Sequence, residues 1–220
     1  MHPLIDYRYK LITHNSDDDI GEEESKYLDK KITRWFAQNN VFSHPKITPI
    51  PIGLENEKWV MTGYSLRRIV DRLRRESLVR KNKVLFGFNI KTNPKERTDA
   101  QENLRKCSVA DEIKQRINPP DYFRLLNQYN FVASPPGNGT DCPRTWEALL
   151  LKTIPICKDS VMIRYFRSLG VPILSVKNWN EVIELTENEL EEFYFQNNDR
   201  FNNEFLLMDS WVNLIKNTNE

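Results

Sequence analysis

The residues best suited to bind a charged ligand lie in one stretch, Phe131–Cys157, with the sequence FVASPPGNGTDCPRTWEALLLKTIPIC. A short apolar run leads there into a loop with Gly137 and Gly139, where missing side chains let backbone N–H groups approach a ligand. Pro143 is placed to be the first residue of a helix, with Asp141 at its N-cap position. The unpaired N–H groups and partial positive charge of a helix N-terminus bind phosphate. The stretch therefore predicts an anion site between a strand and a helix.

Two charged residues of the predicted helix add chemistry to this site. Arg144, in the first turn, can give an anion a charge-assisted hydrogen bond. Glu147 stands one turn further along the same face, where a carboxylate would repel phosphate but accept hydrogen bonds from ribose hydroxyls. A ligand-free interpretation stays open, because short glycine turns often join a strand to a helix and Glu147 could be a capping partner.

The same stretch resembles the donor-binding motif of GT-B glycosyltransferases, in particular the exostosin-like family. There a strand ending in Ser-Pro precedes a glycine loop, a helix with Arg and Glu-Ala, and an Ile-Pro strand. The matching residues here are Ser134, Pro135, Gly137, Gly139, Arg144, Glu147, Ala148, Ile154 and Pro155. The resemblance implies a nucleotide-diphosphate-sugar donor, with Glu147 on the ribose and the loop amides and Arg144 near the diphosphate. The donor-binding residues of this stretch are then Ser134, Gly137, Asn138, Gly139, Arg144 and Glu147.

A second polar and basic segment, FNIKTNPKER (Phe88–Arg97), follows another apolar run. It is expected at the same sheet edge as the glycine loop, because ligands of open α/β sheets bind at the carboxyl ends of the strands. Arg97, with Lys91 behind it, is expected to bind the donor and neutralise a leaving diphosphate. A basic residue in the first loop of the second lobe of GT-B enzymes resembles this role. The alternative is a solvated loop in which Thr98 caps the next helix.

An acidic run, HNSDDD, follows the first predicted strand. Asp17 and Asp19 are spaced like a metal-binding Asp-x-Asp pair, which could share a hard cation with a diphosphate. Alternatively, His14 or Asp17 is a catalytic candidate, a general base for an acceptor hydroxyl. A third interpretation is a polar turn that caps a helix starting near Glu22. Because the glycine loop already offers an anion site, we expect no metal and no required cofactor.

Short apolar runs alternate with helical patterns along the chain, which predicts βαβ crossovers, parallel sheets and the α/β class. The predicted strands are Tyr9–Thr13, Trp35–Gln38, Ile47–Ile52, Val84–Phe88, Phe131–Ala133, Ile154–Cys157 and Pro172–Val176. Pro49 and Pro51 suit an edge strand. The predicted helices are Glu22–Ile32, Tyr64–Arg80, Ala100–Cys107, Tyr122–Gln128, Arg144–Leu151 and Met162–Leu169, with helical patterns from Trp179 onward.

With the resemblance, this order predicts a GT-B-like fold of two Rossmann-like lobes. Residues 1–80 form a partial N-terminal lobe on the acceptor side, and residues 81–200 form the nucleotide-sugar-binding lobe. Residues 201–220 are expected to form a helix that crosses back to the first lobe. Since a Rossmann-like half usually has more than three strands, the first lobe is either reduced or lacks its first βα units.

Composition narrows the possible partners. The 220 residues carry 32 Lys and Arg against 31 Asp and Glu, so the chain has no overall field that would attract nucleic acid. Three cysteines without CxxC spacing indicate neither a zinc site nor a disulfide framework. No apolar run reaches the roughly 18 residues of a transmembrane span, and no signal peptide is recognisable at the N-terminus. A cytoplasmic protein is the resulting expectation.

Together these features predict a glycosyltransferase that moves a sugar from a nucleotide-diphosphate-sugar donor to a glycan or other hydroxyl acceptor. The alternative is a nucleotide- or glycan-binding module that derives from such an enzyme but does not turn over. A third possibility, an NAD-type Rossmann protein, fits less well. The glycine loop is late in the chain, and Cys157, Lys158 and Asp159 stand where an acidic residue in a regular setting is expected.

Overall fold

The computed structural model describes residues 4–55 and 66–218, without the side chains of residues 66 and 67. In this part of the chain the strands form one sheet of three and one of five, and every strand pair is parallel. The predicted α/β class, with two lobes on parallel sheets and a smaller first lobe, is confirmed.

The first lobe contains β1 (Tyr9–Thr13), β2 (Ile32–Ala37) and β3 (Ile47–Pro49), in the order β1-β2-β3. Strand β2 lies in the middle and is the most buried of the three. Strand β3 is at the edge, where the missing N–H of Pro49 disturbs no neighbour, as the prolines predict.

The α-helix predicted over Glu22–Ile32 is wrong. A short 3-10 helix spans Glu23–Tyr27, and Ile32 is already the first residue of β2. The Asp29 carboxylate explains the change, because it accepts hydrogen bonds from the backbone N–H groups of Lys31 (2.7 Å) and Ile32 (3.3 Å). Such a side-chain turn competes with the helix and directs the chain into the strand.

The second lobe is built on β4 (Lys81–Phe86), β5 (Ala110–Glu112), β6 (Tyr129–Ala133), β7 (Ile154–Lys158) and β8 (Leu174–Val176). The α-helices of the described chain are α1 (Leu66–Leu73), α2 (Pro94–Leu104), α3 (Pro119–Leu126), α4 (Pro143–Leu150), α5 (Val161–Ser168), α6 (Glu187–Asn197) and α7 (Met208–Asn217). Further 3-10 turns span Ile90–Thr92, Trp179–Glu184, Asn198–Asn202 and Glu204–Leu206. Strand β5 was not predicted. The predicted helix Tyr64–Arg80 begins outside the described residues, and its described part ends at Leu73.

The strand order of the second sheet, β5-β4-β6-β7-β8, places the first strand of the lobe between the second and the third. The chain therefore reverses its direction of winding between β4 and β6. In open α/β sheets the ligand crevice lies at this reversal, outside the carboxyl ends of the two strands. The fold by itself thus points to the loops after Phe86 and Ala133.

One cluster of buried apolar residues spans both lobes. Phe36 and Ile50 of the first lobe belong to the same buried cluster as Phe86, Phe131 and Trp146 of the second. Apolar burial of this kind is the main source of stability and here also joins the lobes.

The C-terminal helix α7 reaches the first lobe. The ammonium group of Lys10, on β1, donates to the carbonyls of Ile215 (2.7 Å) and Lys216 (2.9 Å), at the end of the helix where carbonyls lack helical partners. Trp211 packs edge-on against Phe166 of the second lobe. Helix α7 thus touches both lobes. Among the described residues, no helix has the length and apolar character needed to cross a bilayer.

Candidate functional site

A cleft of about 940 Å³ lies between the lobes, at the carboxyl ends of β4 and β6. Its walls come from the first lobe, from the connection after β3, and from the loops and helices that follow β4, β5 and β6. The lining residues are Asn15, Ser16, Asp17, Ile52, Glu55, Thr92, Arg97, Ile117, Pro119, Tyr122, Phe123, Gly137, Asn138, Gly139, Asp141, Cys142, Pro143, Arg144 and Glu147. The volume is in the range of small-molecule sites.

Helix α4 begins at Pro143, as predicted, but its N-cap is Cys142 rather than Asp141. The Cys142 side chain makes no capping hydrogen bond to the helix. Proline suits this first position because it has no N–H to leave unpaired. Trp146 and Ala148 are buried against the protein, while Arg144 is half-buried and faces the cleft.

Asp141 turns inward and connects three segments. Its carboxylate accepts hydrogen bonds from the N–H of Ile52 (2.7 Å), the N–H of Cys142 (2.9 Å) and the indole of Trp146 (3.1 Å). Burial raises its pKa to about 6, and the three donated hydrogen bonds oppose that rise. The residue predicted to cap the helix instead anchors the connection between the lobes.

The glycines of the loop make room for protein side chains. A Cβ at Gly139 would lie 2.4 Å from the Nδ2 atom of Asn39, and one at Gly137 would lie 2.9 Å from a guanidinium nitrogen of Arg97. The Gly137 N–H is also used within the loop, where it donates to the Gly139 carbonyl at 3.0 Å. Contrary to the expectation, this N–H group is therefore not free to bind a ligand, because the loop is closed by its own hydrogen bond and packs against both lobes.

Arg97 and Arg144 lie close together around one aromatic ring. Their guanidinium carbons are 5.7 and 5.8 Å from the ring centroid of Phe88, and Arg144 is also 5.8 Å from that of Tyr122. Arg97 lies in the first turn of α2, not in the preceding loop. It donates to the carbonyls of Pro136 and Asn89, both at 2.9 Å. Burial, with a smaller contribution from nearby Arg144, lowers the pKa of Arg97. The two cations are thus partly desolvated and face one cleft.

Thr98 does not cap α2. The Asn93 side chain accepts the N–H of Glu96 at 3.3 Å, which makes Asn93 the N-cap. Lys91, expected behind Arg97, is exposed in the 3-10 turn before α2 and does not line the cleft.

Glu147 lines the cleft although only 8% of it is exposed. Desolvation raises the pKa of its carboxyl group to about 7, while the charge of Arg144 and a hydrogen bond from the Glu55 N–H act in the opposite direction. A carboxyl group near neutrality at the wall of a cleft is a frequent property of functional sites. The structure therefore places Glu147 and Arg144 on the same wall.

The acidic run of the first lobe contacts the glycine loop. Asp17 accepts a hydrogen bond from the Asn138 amide (3.2 Å), and Asp19 accepts one from the Thr140 hydroxyl (2.8 Å). The interpretation of this run as a helix cap is wrong, because the 3-10 helix at Glu23–Tyr27 has Glu22 at its N-cap without a side-chain bond. The run instead joins the two lobes across the cleft.

His14 and Ser134 do not line this cleft. The His14 ring nitrogen is 3.0 Å from the Pro51 carbonyl, beside two smaller neighbouring cavities. Ser134 is 4% exposed, its hydroxyl pairs with that of Thr145 at 2.9 Å, and it faces a separate cavity of about 210 Å³. Neither side chain therefore reaches the main cleft. The other predicted donor residues, Arg97, Gly137, Asn138, Gly139, Arg144 and Glu147, all line the main cleft.

Sequence reasoning missed Asn39. Its fully buried side chain donates to the Ser16 carbonyl (2.9 Å) and accepts the N–H of Asp141 (2.9 Å). Its backbone is in the left-handed region, with φ of 52°, which asparagine tolerates better than most residues. The pair Asn39-Asn40 directly after a strand was the available signal.

The chain is similar to known proteins in structure but not in sequence. No protein-family model matches the chain, and no curated protein matches it in sequence. One solved structure similar to the chain is that of WaaG, a glycosyltransferase involved in lipopolysaccharide biosynthesis. The alignment has a TM-score of 0.44 and 8% sequence identity, and it covers 96% of this chain and 77% of that one.

Proposed function

We propose that the cleft binds a nucleotide-diphosphate sugar and that the protein transfers the sugar to a hydroxyl acceptor. The observation that carries the proposal is the placement of Arg97, Arg144 and Glu147 around one cleft at the winding reversal of the second sheet. The resemblance of the segment around Glu147 to the exostosin-like donor motif supports the same ligand.

The charges favour an anion. Among the described residues, neither Arg97 nor Arg144 has a carboxylate within ion-pair distance. Both donate to backbone carbonyls, and Arg97 also makes a hydrogen bond to the Cys142 side chain. Two neighbouring guanidinium groups that are partly buried repel one another, so a diphosphate between them would relieve an unfavourable interaction. Charge-assisted hydrogen bonds to phosphate would also replace the lost hydration of Arg97.

The donor would extend from the arginines toward Glu147. Once ionised, that carboxylate accepts hydrogen bonds and suits the hydroxyls of a ribose. In the transfer step, negative charge grows on the leaving diphosphate, and Arg97 and Arg144 would stabilise that charge without a metal ion. Asp17, which faces the cleft from the first lobe, remains the candidate for accepting the acceptor proton, with His14 as the more distant one.

Calorimetry with a panel of nucleoside diphosphates tests the binding part of this proposal. We expect Arg144→Ala to weaken binding by roughly 10- to 100-fold, the range for one charge-assisted hydrogen bond. Glu147→Ala should weaken the binding of nucleoside diphosphates but leave the binding of inorganic pyrophosphate nearly unchanged. Arg124→Ala is the matched control, because Arg124 is exposed on α3 and pairs with Asp121 away from the cleft. Unchanged affinity in both cleft variants would reject the site.

A binding module without turnover is the second candidate, and the three-stranded first sheet favours it. An acceptor-binding half normally offers a larger sheet. Incubation with a panel of nucleotide sugars, with and without simple hydroxyl acceptors, separates the two functions. Transfer or donor hydrolysis supports the enzyme, whereas nucleotide affinity without any product supports the module.

A further inference from the structure

One buried hydroxyl in the cleft wall has no hydrogen-bond partner among the residues that the structure describes. Over the described residues, the buried polar side-chain atoms without a hydrogen bond are the Tyr122 hydroxyl, the Asn130 carbonyl oxygen and the Trp179 indole nitrogen. Of these residues, Tyr122 alone lines the main cleft. Native proteins rarely leave such groups unpaired, so each one calls for an explanation.

The surroundings of Tyr122 explain why no described residue forms a hydrogen bond with this hydroxyl. Tyr122 lies on α3, beside the apolar residues Ile117, Pro119 and Phe123 of the same wall. Burial raises the pKa of its phenol, and Arg144 and Glu147 act on it by charge without a hydrogen bond. The hydroxyl is therefore protonated at neutral pH and can both donate and accept.

The position of Tyr122 relates it to a particular part of a ligand. Arg144 packs over its ring, and the Glu147 carboxyl is close enough to shift its pKa. Tyr122 also borders a second cavity of about 720 Å³, which it shares with Ile117 and Arg144. A ligand held by its phosphates at Arg144 would thus have its organic end along the wall that contains Tyr122.

We propose that Tyr122 is a specificity residue whose hydroxyl forms a hydrogen bond to the nucleoside part of the bound nucleotide. This inference rests on the proposed nucleotide site. The bond would satisfy a hydroxyl that has no partner among the described residues. A site built around a buried hydrogen-bonding group discriminates strongly against ligands that cannot pair with it.

The substitution Tyr122→Phe tests this because its two effects have opposite signs. Removing an unpartnered buried hydroxyl should leave the free protein as stable as before or raise its Tm by about 2 to 4 °C. The same substitution should weaken the affinity for the best-bound nucleoside diphosphate roughly tenfold. The affinity for inorganic pyrophosphate, which has no nucleoside, should not change. A purely structural tyrosine would not give this combination.

Tyr129→Phe is the matched control. Its hydroxyl donates to Asp111 (2.9 Å) and accepts from Lys81 (3.1 Å), away from the cleft. The control should therefore lower the Tm without changing affinity. Equal loss of pyrophosphate and nucleotide binding in Tyr122→Phe, or no loss of nucleotide binding, overturns this inference alone. A wild-type protein that binds no nucleoside diphosphate overturns the proposed function as well.

Discussion

The buried carboxyl group of Glu147 should control how stability depends on pH. Its pKa is raised by burial from the ordinary value of 4.5 to about 7, so the folded protein holds this proton more tightly than the unfolded chain does. The contribution of Glu147 to stability is therefore fully present below about pH 4.5, falls as the pH rises through about 7, and is lost above that value.

The substitution Glu147→Gln removes this titration while keeping the shape of the protonated side chain. At roughly 1.4 kcal/mol per pKa unit, the shift corresponds to about 3 kcal/mol. We expect the free energy of unfolding of the variant to exceed that of the wild type by less than about 1 kcal/mol at pH 5 and by about 3 kcal/mol at pH 8. Asp141 also has a raised pKa, but it is present in both proteins and cancels in the difference.

Urea denaturation of both proteins between pH 5 and pH 8 measures this difference. Glu112→Gln is a control of opposite sign, because the hydrogen bond from Arg105 lowers the pKa of Glu112. That substitution should lower the free energy of unfolding at neutral pH and lower it less at acid pH. A stability difference between Glu147→Gln and the wild type that stays constant over the whole pH range would show that Glu147 is not desolvated, and the description of the cleft wall would be wrong.

Two further predictions concern the packing of the glycine loop at the cleft and the contacts of Arg80 at the opposite end of the second sheet. Gly139→Ala should destabilise the protein by about 1–3 kcal/mol in urea denaturation, since its Cβ would lie 2.4 Å from Asn39. Gly21→Ala is the control and should have little effect, because the nearest atom to its Cβ would be 3.4 Å away. An equal loss of unfolding free energy in both variants would contradict the packing argument. Arg80→Ala should lower the unfolding free energy by about 2 kcal/mol or more, because its guanidinium donates to the carbonyls of Asn127 (2.8 Å) and Leu151 (2.6 Å). A thermal midpoint equal to that of the exposed control Arg72→Ala would refute this role.

The parts of the fold that could be predicted are those with local signals. Strand β1 has the predicted bounds, because a polar loop follows its apolar run directly. Pro143 marked the start of α4, and Pro49 marked the edge strand. In these cases the residue type alone restricts the backbone, whatever the rest of the chain does.

The missed elements lack such local signals. Strand β5 has only three residues, and its Asp111 and Glu112 are paired with Lys83 and Arg105. It contains no apolar run, so its edge position and its ion pairs are visible only in three dimensions. A strand of this length depends on its contacts with neighbouring residues rather than on the β-propensity of its own residues.

The candidate site was predictable in its residues but not in its internal contacts. Glu147 and Arg144 were recognisable from spacing on one helix face. The bond between Asn39 and Asp141 joins residues 102 positions apart, and no local pattern encodes it. Likewise, the Tyr122 hydroxyl has no hydrogen-bond partner among the described residues because of what surrounds it in three dimensions, and no local pattern indicates this.

The hydrogen bonds that Asp141 makes to Ile52 and Cys142 bear on how a ligand enters. Proteins of two lobes often admit ligands by a hinge motion on the microsecond-to-millisecond scale. Here a hinge motion would separate the buried Asp141 carboxylate from the Ile52 N–H on the interlobe connection, and it would also break the hydrogen bond between Asp19 and Thr140. If the cleft binds a nucleotide as proposed, we expect the ligand to exchange through faster rearrangements of side chains such as Arg144. Its association rate should then be set by diffusion into a preformed opening rather than by the rate of lobe separation.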